Sequence, residues 1–154
     1  MNIKNPFTVI MKGKVAILGV GNLLRGDDAL GPLLVDRLQG QVNAECINAE
    51  NAPEKFLGKV IKLEPNTLII IDAVHLGLNP GDYRIVRPDE LSGVGFSTHD
   101  IPLQNLVDYI KTEIDVDIYI LGVQPEHLAI GKSLSNPVKT ALQTLEELII
   151  EAIG

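Results

Sequence analysis

The chain has almost no cysteine. Among 154 residues only Cys46 carries a thiol, which excludes an internal disulfide framework and fits a reducing compartment, the cytoplasm. Tryptophan is absent and aromatic residues make up 4%, leaving little to stack on bases or to build a cation cage. Basic residues are outnumbered: 13 Lys and Arg stand against 20 Asp and Glu, a net charge of −7. Phosphate backbones repel such a surface and no basic patch offsets it, so nucleic acid is not an expected partner. Long apolar runs are missing as well. None approaches the roughly 18–20 residues that span a bilayer, so no membrane partner is expected. Residues 7–11 (FTVIM) are too short for a signal-peptide core and run straight into Lys12 and Lys14.

What is present is globular in proportion. Hydrophobic residues at 45% and charged residues at 21% supply one core. Residues 1–13 read as a short N-terminal extension and 14–154 as a single domain. Two periodicities alternate along that domain. Residues 14–20 (KVAILGV), 67–74 (TLIIIDAV) and 117–123 (DIYILGV) are short apolar runs of the kind buried on both faces. Residues 43–48 form a weaker strand, and 82–87 alternate as an edge strand does. Between the strands, 29–38, 53–63 and 101–113 repeat apolar residues every three or four positions. A last helix is opened by Pro137 and capped by Ser135 or Asn136. Strand and helix in alternation predict an α/β fold: a three-layer α/β/α sandwich around a mostly parallel twisted sheet. No coiled-coil seam appears.

In such a sheet, ligands gather outside the carboxyl ends of the strands. Polar residues just after each apolar run therefore become neighbours in space. Three segments stand out. Residues 19–31 (GVGNLLRGDDALG) join a glycine-rich turn to Asp27 and Asp28 at a helix start. One aspartate there is accounted for by helix capping; capping covers two less comfortably. Asp72 closes the run 68–71, where a carboxylate needs a partner to offset its desolvation. His99 lies in the polar segment STHD (97–100) before a helix, with His75 as a reserve; His75 and His127 otherwise read as loop histidines. Two acids and an imidazole on one edge suit a divalent transition metal or acid–base chemistry, and spacing alone does not choose. Backbone N–H groups around Gly21 and Asn22 are candidate oxyanion donors. The HExxH, P-loop and GxSxG signatures are absent. Cys46 lies in a strand with no assignable base and reads as a small core residue.

The run GNLLRGDDALG (21–31), with LIIIDAV (68–74), STHD (97–100) and GVQPE (122–126) in that order, resembles the nickel–iron hydrogenase maturation endopeptidases. The match in the first run falls on Gly21, Asn22, Leu24, Asp27, Asp28 and Gly31. This resemblance implies an α/β/α sandwich, an aspartic-type endopeptidase and a monomer. Its implied substrate is the hydrogenase large-subunit precursor, whose C-terminal peptide is removed after nickel insertion. By position, the family's metal-contacting and catalytic residues fall on Asp28, Asp72 and His99. The implied metal is nickel carried by the precursor, with another divalent transition metal as the alternative. Some members carry Glu where this chain has Asp28; the shorter side chain draws the metal nearer the backbone.

Two other readings compete. A Rossmann-like nucleotide-binding module would use GVGNLL (19–24), but its sixth position is Leu24 where that fingerprint needs Gly or Ala. A non-catalytic nickel metallochaperone would use the same three ligands for delivery.

Overall fold

The structure is a computed structural model that describes residues 4–91 and 102–154. Five strands form one sheet in the order β2-β1-β3-β5-β4. They are β1 (Val15–Val20), β2 (Glu45–Glu50), β3 (Thr67–Ala73), β4 (Tyr83–Val86) and β5 (Asp117–Val123). β1 pairs in parallel with β2 and β3, and β3 with β5. Only β4 runs antiparallel, along β5 at the edge. The fully apolar strands are thus central, and the alternating one is at the rim, as their sequences require.

Alternation within the central strands sorts side chains into two cores. Ile17, Ile69 and Ile71 face one side, against Leu30, Leu34 and Leu38 of α2 (Leu30–Leu38) and Leu142, Leu145 and Ile149 of α5 (Asn136–Ile153). Leu18, Leu68 and Ile70 face the other. There they meet Val60 of α3 (Leu57–Leu63) and Leu106, Val107 and Ile110 of α4 (Leu103–Glu113). Each large side chain removed from water in this way contributes about 1.5–3 kcal/mol. The expected three-layer sandwich is what forms. Among the described residues no helix is long and apolar enough to cross a membrane.

Local details depart from the sequence reading at element ends. The span 53–63 divides into a 3-10 turn, Pro53–Phe56, and α3. The span 29–38 is likewise preceded by a 3-10 turn, Gly26–Ala29, which holds both Asp27 and Asp28. Within residues 1–13 a short helix α1 (Pro6–Ile10) forms, and Phe7 is fully buried in the core. Asn5 holds it there: its Oδ1 accepts from Phe7 N (3.0 Å) and its Nδ2 donates to Leu148 O of α5 (2.7 Å).

The strand order places the site. From β1 the chain turns through α2 to β2 on one side. It then crosses through α3, on the opposite face, to β3 on the other side of β1. The carboxyl ends of β1 and β3 are therefore the switch point of the sheet, where the chain leaves the two strands in opposite directions. The glycine-rich turn follows β1, and Asp72 is the penultimate residue of β3.

Candidate active site

α2 reaches over the ends of β1 and β3 because residue 31 has no side chain. A Cβ on Gly31 would lie 2.5 Å from Val20 O and 2.6 Å from Ile71 O. The helix start thus sits on the carbonyl that precedes Asp72, and the 3-10 turn before it packs against β3. Asp28, three residues upstream of Gly31, is brought to the rim that carries Asp72. Both carboxylates are 1% exposed. Gly21, at φ 151°, folds the turn so tightly that a Cβ would overlap the carbonyl oxygen of Asp28. Asn22 then donates its N–H to Asp28 Oδ2 (2.8 Å), while its own Oδ1 accepts from Leu24 N (2.9 Å).

This geometry removes one candidate role. The Gly21 N–H donates to Glu50 O (2.7 Å) and the Asn22 N–H to Asp28. Both donors are engaged, one with the end of β2 and one with Asp28, so neither is free to stabilise an oxyanion. Capping also fails as the account of Asp27, since α2 has no side-chain cap. Asp27 is fully buried and reaches across the molecule instead. Its Oδ2 accepts from Glu126 N (2.8 Å), His127 N (3.2 Å) and Ser135 Oγ (2.8 Å), and its Oδ1 from Ser135 N (2.7 Å). Four donors on one carboxylate tie the turn to the segment between β5 and α5. Ser135 does stand at the N-cap of α5, as expected, but its hydroxyl serves Asp27 rather than the helix.

A second tether went unnoticed in the sequence. Gln124, 8% exposed, accepts with Oε1 from Leu76 N (2.6 Å) and Leu78 N (3.4 Å). It thereby holds the loop that follows Asp72. The signal was there, an amide in GVQPE directly after a buried strand, but its partners lie 46–48 residues away.

Of the sequence candidates, the structure sets Asp28 and Asp72 on one rim. His99 lies outside the described residues, as does all of STHD. His75 is exposed, and His127 is half-buried with its ring against Gly26. Among the described residues no three His, Cys, Asp or Glu side chains come together to hold a metal ion. Two buried acids supply hard oxygen donors for a cation, or sites to accept a proton.

Cys46, on β2, is buried away from this rim. Burial, reinforced by the neighbouring Glu45 charge, pushes its thiol up to about 11. A thiol raised two units above its ordinary value holds about a hundredth as much thiolate near neutral pH, so it is unfit as a nucleophile. Iodoacetamide should alkylate native Cys46 about 100-fold more slowly than unfolded chain at pH 8. A matching rate, followed by mass spectrometry, would contradict that protection.

A sequence model of the hydrogenase maturation protease family matches residues 32–152. The chain belongs to that family. It is 36% identical over 132 residues to the hydrogenase 3 maturation protease of Escherichia coli K12, covering 84% of each chain. A crystal structure of a [NiFe] hydrogenase maturation protease from Thermococcus kodakarensis is similar with a TM-score of 0.87 at 32% identity, over 95% of this chain and 97% of that one. The solution structure of an E. coli endopeptidase of the same kind gives 0.81 at 33% identity, over 90% of each. As a hydrogenase maturation protease the chain is a peptidase, and the nucleotide-binding and metallochaperone readings lose their support. The buried acids above are accordingly those of a chain that cleaves polypeptide.

Proposed function

We propose that this protease removes the C-terminal peptide of a nickel–iron hydrogenase large-subunit precursor after nickel insertion. In this reading Asp28, Asp72 and His99 contact the nickel that the precursor carries. The observation that carries it is the pair of buried acids, Asp28 and Asp72, on one rim at the topological switch point. Two carboxylates on one rim offer hard oxygen donors to an arriving cation. Imidazole and carboxylate together suit nickel, as they suit other divalent transition metals. The nickel is thus part of the substrate: its presence completes recognition and sets the scissile amide against the rim. The reducing cytoplasm, where thiols such as Cys46 persist, is the proposed setting, and a monomer the proposed state.

Nickel-loaded and nickel-free precursor, each incubated with the purified protease, separate the parts of this reading. Cleavage of the loaded form alone is expected. Equal cleavage of both would defeat nickel recognition, and cleavage of neither would defeat the substrate assignment. Loading with zinc or cobalt in place of nickel tests the choice of metal.

A further inference from the structure

Five large hydrophobic side chains are exposed among the described residues: Val9, Leu23, Leu24, Tyr109 and Ile130. Leu24 at 71% and Ile130 at 79% are the most exposed of these, and Leu24 belongs to the turn that Asn22 ties to Asp28. They sit on two segments that pair as an antiparallel bridge, Arg25 opposite Ile130, closed by Gly131 N donating to Leu24 O (2.8 Å). Nothing in the fold requires apolar residues there, since neither side chain contributes to a core. Exposed apolar side chains gathered beside a site mark a surface that a macromolecule covers.

We propose that the Leu23–Leu24 turn and Ile130 form a docking edge for an apolar segment of the hydrogenase precursor, adjoining the bond to be cut. The proposal rests on the substrate reading above. The occupant follows from continuity with the site. Asp28 Oδ2 accepts from Asn22 N, Asn22 Oδ1 accepts from Leu24 N, and Leu24 O accepts from Gly131 N. Three hydrogen bonds thus run from the acid to the apolar edge without a flexible link. Asp27 holds the opposite strand of the bridge through Glu126, His127 and Ser135. A polypeptide lying over Asp28 would have this edge within reach, and an edge held in register with the acid would add binding energy there. In a chain of net charge −7 the edge also carries Arg25 and Lys132, so it tolerates acidic residues beside the docked segment.

The test uses the whole protein with Leu24→Ser and Ile130→Ser, singly and together, and Val9→Ser as a remote control. Both sites are exposed, so unchanged thermal melting is expected. Binding to fluorescently labelled precursor should weaken about tenfold or more in the double variant. For cleavage of nickel-loaded precursor KM should rise while kcat stays within about twofold. Val9→Ser should match wild type in both. Wild-type affinity in the double variant would overturn the docking edge, as would concentration-dependent dimerisation of the free protease that the substitutions abolish. Failure of the substrate reading is distinguishable. If wild type binds precursor, the serine variants bind it weakly, and none cleaves it, the edge stands and the processing assignment falls. If wild type does not bind precursor at all, the edge falls too.

Discussion

Alanine at position 31 is expected to lower the melting temperature by about 10 °C or more and to abolish precursor cleavage at temperatures where the protein remains folded. The added Cβ would sit 2.5 Å from Val20 O, 2.6 Å from Ile71 O and 2.8 Å from Val20 N. All three atoms are backbone of β1 and β3, the two innermost parallel partners, and cannot yield as a flexible side chain can. The helix must lift instead. Lifting it unpacks Leu30, Leu34 and Leu38, which are fully buried, and carries Asp28 away from Asp72. Alanine is otherwise a better helix former than glycine by about 1 kcal/mol, so the sign of the effect separates close approach from propensity. Melting followed by circular dichroism, with cleavage assayed well below the midpoint, checks both halves. A variant as stable and active as wild type would show that α2 does not rest on these strands.

The second large effect is a contrast between neighbours. Asp27→Asn is expected to cost about 2–4 kcal/mol, and Asp28→Asn to leave stability nearly unchanged while reducing cleavage about 1000-fold or more. Asp27 accepts four hydrogen bonds with its two oxygens. An amide there turns one acceptor into a donor that faces donors, in a fully buried position. Asp28 receives Asn22 N on Oδ2, and an asparagine oxygen can still accept that bond. What it loses, in the proposed reading, is the negative charge offered to the nickel of the precursor. Chemical denaturation and cleavage rates of the two variants, measured side by side, should show the effects exchanged between adjacent positions. Equal loss of stability in both would mean that Asp28 is structural like its neighbour.

These contrasts show which parts of the molecule can be read along the chain. The strands β1, β3 and β5 were legible because burial on both faces leaves an uninterrupted apolar run, and α4 and α5 because one-sided burial leaves a three-to-four-residue rhythm. Asp72 was legible as a candidate because a carboxylate directly after such a run is costly without a role, and Asp28 because capping covers two aspartates at a helix start less comfortably than one. For Asp27 the sequence left capping the helix and orienting the loop both open. Next to a helix start, capping is the local explanation for an aspartate, yet its partners are 99–108 residues away. The α1 helix escaped because five residues give too little periodicity to register, and only contact with α5 makes Phe7 a core residue.

Read alone, the chain specified an α/β sandwich, its main strands and helices, and the polar residues that close them, since each is written in a pattern spanning a few neighbours. Folding in three dimensions settled which of two adjacent aspartates is tied to the loop after β5 and which stands on the rim. It also settled that the Gly21 and Asn22 amides are occupied, and that Leu24 and Ile130 share an edge. Those outcomes depend on groups distant in sequence meeting through hydrogen bonds and close backbone contact, and no local periodicity encodes which distant partner a side chain meets.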